Sequence, residues 1–194
     1  MKLRSPIFLI IACGILAATG LLLRTFLTRE DLPPPSSGMN GEALPAGIEK
    51  FQKLDDNLYR GAQPGAKGFK ELEKLGIRTV VNLRTGHSDE EALAGTSLAY
   101  RNIGMNVWDI DEPDVIAFLK LVSDRSKGPF FVHCEHGVDR TGFMCAIYRI
   151  VVQGWSKEKA LKERRAFKPH LIWLNLERYI RKMDVHEIRR KARL

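Results

Sequence analysis

Residues Pro6 to Leu23 carry no charged side chain and lie within the longest uncharged stretch of the chain. These eighteen residues, mostly Ile, Leu, Phe, Ala and Gly, approach the ~20 that cross a bilayer as a helix. Lys2 and Arg4 precede the run, and Arg24 and Arg29 follow it. Residues 1–28 are therefore expected to be a single-pass membrane anchor. A cleaved signal peptide lacks a clean small-x-small site, and Ile10-Ile11-Ala12-Cys13-Gly14 as a lipobox would leave an apolar segment behind the lipid. The basic flanks lean toward an exported C-terminal domain. Residues 29–47, with Pro33-Pro34-Pro35 and Ser36-Ser37-Gly38, read as a linker.

From Ile48 the apolar positions become short and periodic. Phe51 to Leu54 and Leu58 to Ala62, around Asp55-Asp56-Asn57, predict a hairpin. Lys67 to Leu75 predicts a helix ended by Gly76, and Ile77 to Leu83 a strand buried on both faces. Ser88, with Glu91 three residues on, predicts a capping box for a helix through Ala94. Leu98 to Met105 is a further strand, and Glu112-Pro113 opens a helix to Ser123. Phe130 to Val132 is a short buried strand, and Phe143 to Val152 a buried helix. Ser156 caps Lys157 to Phe167, and one last helix is expected over about Leu171 to Lys191. Strands alternating with helices predict an α/β fold, residues 48–194, with a mostly parallel central sheet flanked by helices and with the N-terminal transmembrane helix outside it.

Composition changes little in this picture. The 194 residues suit one domain plus an appendage. The formal charge of +8 is spread along the chain and suits acidic substrates or an anionic surface. Cys13, Cys134 and Cys145 have neither zinc spacing nor an even disulfide count, so no metal site is expected.

The chemistry concentrates after Val132. Strand, tight loop and helix point backbone N–H groups at an anion. Cys134 stands at the mouth of that loop and Arg140 six residues on. A thiol attacks as thiolate, which a helix N-terminus and inward N–H groups stabilise. The loop Glu135, His136, Gly137, Val138, Asp139 and Arg140 can then hold phosphoryl oxygens, with Arg140 adding a bidentate fork. Thr141 can donate to the sulfur as it leaves, and Gly142 lets the helix start close to the loop.

His133-Cys134, five residues, then Arg140-Thr141-Gly142 resembles the signature of the cysteine-dependent protein tyrosine phosphatase superfamily. Leu58-Tyr59-Arg60-Gly61-Ala62-Gln63-Pro64 and Thr79-Val80-Val81-Asn82-Leu83-Arg84 precede it in the order seen in bacterial dual-specificity-type phosphatases. The chain is similar also to the plant and fungal atypical group, some of which cleave inositol pyrophosphates. The resemblance covers about Phe51 to Leu174. It implies attack of Cys134 on phosphorus, a phosphocysteine, hydrolysis by water and no cofactor.

The leaving oxygen also needs a general acid within about 3 Å. In the superfamily this is usually an aspartate on a separate loop. Asp109, 25 residues before Cys134, is closer in sequence than usual there, and Asp111 and Asp114 are closer still. Asp109 or Asp111 could equally cap the helix at Glu112. Asp139 is the rival, since myotubularins and some bacterial phosphoinositide-active phosphatases carry aspartate at that position. Its other reading is a side chain tied to neighbouring backbone or to a basic residue. Both assignments stay open at this point. His133 is expected to bond near the Cys134 backbone, and Arg84 to line the mouth or, as the better reading, to pair with Glu90 or Glu91.

The expected substrate is a phosphorylated protein or a small phosphorylated molecule, phosphotyrosine first. A phosphoinositide or inositol (pyro)phosphate is the alternative, against which the loop interior Glu-His-Gly-Val-Asp carries no lysine. An RNA 5′-triphosphatase has a similar loop but sits poorly with a membrane anchor, so no nucleic-acid partner is expected. An inactive phosphate-binding module would have no reason to keep Cys134, Arg140 and Thr141 together. A scaffold using Arg189-Arg190-Lys191-Ala192-Arg193 reads more simply as a solvated helix end.

Overall fold

The structure, a computed structural model, describes residues 47–194. The expected anchor over 1–28 and all but the last residue of the linker lie outside the described residues. No helix among the described residues is long and apolar enough to cross a membrane.

Two strands, β1 (Gln52–Lys53) and β2 (Leu58–Gly61), form the expected hairpin. Its turn is held by Asp55, whose Oδ1 accepts from the N–H groups of Asn57 and Leu58 at 2.8 and 2.9 Å. Then follow α1 (Ala66–Lys74), β3 (Thr79–Asn82), α2 (Glu90–Leu93), β4 (Ala99–Asn102), α3 (Glu112–Ser123), β5 (Phe130–His133) and α4 (Asp139–Val151). The chain ends with α5 (Lys157–Ala166), a 3₁₀ turn (Leu171–Trp173), α6 (Leu174–Lys182) and α7 (Val185–Ala192).

The sheet runs β1-β2-β5-β3-β4, antiparallel only between β1 and β2. β5 is central: Phe130 pairs with Leu58 and Thr79, and His133 with Gly61 and Asn82. Its side chains alternate between faces, as strand geometry requires. Phe130 and Val132 enter a core built largely from α3, α4, α5, α6 and α7. Phe131 packs with Phe69, Leu72, Val80 and Leu93 under α1 and α2. All four residues of β5 are buried, which accounts for a run of bulky residues without polar alternation.

Three elements differ from expectation. α4 begins at Asp139 rather than Phe143, so the second half of the phosphate loop is the first helical turn. α2 is a single turn with Asp89 at its N-cap, and Ser88 Oγ accepts instead from Glu90 N at 3.2 Å. The last helix is not continuous. Asp184 accepts from the N–H groups of His186 and Glu187, starts α7 afresh, and leaves Met183 extended and buried at the end of α6. Ser156 caps α5 as expected, accepting from Lys159 N at 3.2 Å.

Candidate active site

The carboxyl ends of the parallel strands carry the candidate residues, where open α/β sheets place ligands. Cys134 follows β5 and is buried, with 3% exposure. The loop then turns through Gly137, whose φ of +66° favours glycine. A Cβ there would meet Gly61 and Ala62 backbone atoms at 2.6 Å, so glycine is also a packing requirement. Among the described residues no acceptor takes up the backbone N–H groups of Glu135 to Arg140. They belong to the loop and the first turn of α4, where helix donors have no intrahelical partner. Arg140 is partly exposed and makes no hydrogen bond or ion pair among the described residues. Thr141 is fully buried and its Oγ1 has no partner among the described residues, so its hydroxyl proton is available to the loop.

The loop is braced from below. Arg60 of β2 is 1% exposed, donates from Nη2 to Gly137 O and stacks on the Phe167 ring at 3.7 Å. Arg164 of α5 is also buried, with Nη1 3.3 Å from Glu177 and its Nε and Nη2 unpartnered. Burial pushes both guanidinium groups below the usual arginine value. Gly142 lies against both, and a Cβ there would come 3.4 Å from Arg164 Cγ. Gln63 N donates to Glu135 O at 3.1 Å, fixing the first turn of the loop.

A second brace lies behind Cys134. His133 Nε2 is 2.9 Å from Asp89 Oδ2, and its Nδ1 is 3.3 Å from Cys134 O. Asp89 Oδ1 also takes Gln63 Nε2 at 2.7 Å and lies 3.3 Å from His87 Nε2. Burial alone would raise the Asp89 carboxyl. The bond and charge of His133, helped by Gln63 and His87, outweigh it and hold the group below the usual carboxylate value. Arg84 does not pair with Glu90 or Glu91. Its guanidinium reaches Gln63 Oε1 at 3.2 Å and Glu135 at 3.7 Å, tying the β3 end to the loop rim. Burial pushes the Cys145 thiol up to about 11, as expected for an inert core cysteine.

The two candidate acids have different surroundings. Asp139 is 8% exposed, and both of its oxygens are occupied by His170, from backbone N at 3.0 Å and from Nδ1 at 2.6 Å. Asp109 is exposed on the bend between β4 and α3 and makes no hydrogen bond or ion pair among the described residues. That bend is anchored from α6: Asn175 Nδ2 donates to Val107 O at 2.6 Å, and Trp173 meets Trp108 edge-on at 4.3 Å. Asp111 is the N-cap residue of α3, without a side-chain capping bond. Among the described residues no cluster of His, Cys, Asp and Glu could hold a metal ion.

Asp89, His170, Arg164 and Asn175 do not stand out in the sequence, because none belongs to a local motif. Arg60 lies inside Leu58 to Pro64, a segment that the resemblance marks without assigning the arginine a role.

A cysteine at the loop mouth, with N–H groups and an arginine that have no acceptor among the described residues, set at the C-terminal edge of a mostly parallel sheet, is the arrangement of a cysteine-dependent phosphatase site. The family model described as PTP-NADK, a DSP-PTPase phosphatase fused to NAD+ kinase, matches residues 46–181, and the chain belongs to this family. It is 32% identical over 158 residues to the dual specificity protein phosphatase TpbA of Pseudomonas aeruginosa, covering 80% of this chain and 72% of that one. The crystal structure of a cysteine-to-serine variant of P. aeruginosa TpbA in complex with pTyr matches with a TM-score of 0.68 at 28% identity, over 77% of this chain and 97% of that one. The inositol diphosphatase DSP3 of Arabidopsis thaliana is 28% identical over 134 residues, 64% of each chain.

Proposed function

We propose that the chain hydrolyses phosphate monoesters of phosphorylated proteins, phosphotyrosine first, in two displacements at one cysteine. The Cys134 thiolate attacks phosphorus; the P–S bond forms as the P–O bond to the leaving group breaks. The N–H groups of Glu135 to Arg140 and the Arg140 fork hold the three non-bridging oxygens, where charge is concentrated in the transition state. Asp109 gives its proton to the leaving oxygen. In the second step the Asp109 carboxylate takes a proton from water, the P–O bond to that water forms, and the P–S bond breaks. Thr141 donates to the departing thiolate. Asp139, with its oxygens taken by His170, positions the loop.

The observation that carries this reading is the loop itself, in which Arg140 and six N–H groups have no acceptor among the described residues while Arg60 and His133 brace the loop from behind. The likeness to TpbA, including its complex with pTyr, supports the same substrate class. The likeness to an inositol diphosphatase makes that substrate the comparison to beat. The loop interior Glu-His-Gly-Val-Asp carries no lysine, which disfavours a polyanion. The uncharged run Pro6 to Leu23 supports a further part of the proposal, that residues 1–28 hold the enzyme at a membrane with its catalytic domain on the exported side.

A substrate panel on the full-length protein tests the reading. A phosphotyrosine peptide should be turned over with kcat/KM at least about tenfold above both a phosphoserine peptide and an inositol pyrophosphate. A preference for the inositol pyrophosphate would overturn the protein-phosphatase assignment while leaving the cysteine chemistry in place.

A further inference from the structure

Four of the large apolar side chains that the described residues leave in solvent gather beside the catalytic loop. They are Trp108, Leu171, Ile172 and Leu174, exposed by 73, 83, 69 and 59%. Leu171, Ile172 and Leu174 follow His170, whose ring and backbone N–H bond Asp139 of the loop. Trp108 precedes Asp109 and joins the same surface through its edge contact with Trp173. Isolated exposed apolar residues need no explanation, but a contiguous cluster of this kind marks an interaction surface.

We infer that this rim docks apolar residues flanking the phosphorylated residue of a polypeptide substrate, so that the enzyme selects phosphotyrosine in apolar sequence contexts. The inference rests on the protein-phosphatase reading above. Two observations choose this occupant. The surface is continuous with the catalytic loop through the His170–Asp139 pair, so a chain whose phosphate sits in the loop must lay its neighbouring residues there or close by. The charges around it oppose the alternatives. Asp109 and Asp111 are exposed and make no ion pair among the described residues, Glu135 lies 3.7 Å from Arg84, and Lys168 and Arg178 stand on the neighbouring stretch. An anionic bilayer or an inositol polyphosphate would meet the Asp109 and Asp111 carboxylates at this rim, whereas apolar peptide side chains gain from leaving water.

The test uses the full-length protein and its Leu171→Ser/Ile172→Ser variant, both substitutions being at exposed positions away from the reacting atoms. Substrates are phenyl phosphate and two phosphotyrosine peptides, one flanked by Leu and one by Ser. The parent should prefer the Leu-flanked peptide by roughly tenfold in kcat/KM. The variant should lose most of that preference and keep its rate on phenyl phosphate within about twofold. Equal rates of the parent on both peptides would overturn the inference alone. So would a variant that keeps the preference and changes only from dimer to monomer in sedimentation. A parent inactive on phenyl phosphate and both peptides would overturn the protein-phosphatase reading and this inference with it.

Discussion

Asp89 receives contacts from three separate parts of the chain: His133 at the end of β5, Gln63 after β2, and the nearby His87. It thereby fixes the imidazole that lies against the Cys134 carbonyl. Its carboxyl is held below the ordinary value of 3.8, so the ionised form is bound more tightly in the folded state. Asp89→Asn should cost about 1.5–3 kcal/mol, the scale of a hydrogen bond to a charged group. The sign of the pH dependence comes from the depressed value. The parent's advantage is full above 3.8 and is lost as pH falls through the lower folded value. Urea unfolding of both proteins from neutral pH to about pH 3 checks this; a gap that stays constant or widens in acid would contradict it. Cys134, Gly137, Arg140 and Thr141 are legible in the sequence because their geometry is local: one loop places them all. Asp89 and Arg60 are not, because their partners are distant in sequence and meet only once β2, β3 and β5 are in register; Arg164 meets Glu177 only when α5 packs against α6.

At the scale of elements, the order of strands and helices is legible because each has its own period and some carry a local start signal, such as the Ser156 cap of α5 and Pro113 in the first turn of α3. The ends of elements are less so. The start of α4 lies among loop residues whose polarity hides the first helical turn, and Asp184 looks in sequence like any charged residue on an exposed helix face. The stretch from His170 to Asn175 is a third such end. Its sequence predicts plain helix from Leu171, yet its ends reach two loops: His170 binds Asp139, while Trp173 and Asn175 hold the bend bearing Asp109. A general acid matters most for a poor leaving group. Asp109→Asn should therefore lose about tenfold or more on phenyl phosphate beyond its loss on an activated aryl phosphate, and should lose the basic limb of the pH–rate profile. Asp139→Asn should slow both substrates alike. Asn175→Ala, which loosens the Asp109 bend, should show the Asp109→Asn pattern in weaker form. Leaving-group dependence in Asp139→Asn and not in Asp109→Asn would exchange the two roles.

Across residues 47–194, the molecule divides its labour between the two faces of the sheet. The face under α1 and α2 buries Phe131 and His133 with Phe69, the rings of Phe131 and His133 stacked at 5.8 Å, and so fixes the strand end that carries the nucleophile. The other face gathers α3 to α7 around Phe130 and Val132 and sets α4 with its first-turn N–H groups at the catalytic edge. Buried arginines supply positive charge behind the loop, and exposed carboxylates and apolar groups surround its mouth. The alternation of strands and helices makes this architecture readable from sequence. The rim is not, since exposed Trp108, Leu171 and Ile172 look in sequence like core residues. The central claim is that Cys134 carries the phosphoryl group between substrate and water. Acid quenching during turnover of an aryl phosphate, followed by mass spectrometry of the digest, should find one phosphoryl group on the peptide containing Cys134 and none in Cys134→Ser. A phosphoryl group on another residue, or turnover by Cys134→Ser within about tenfold of the parent, would contradict it.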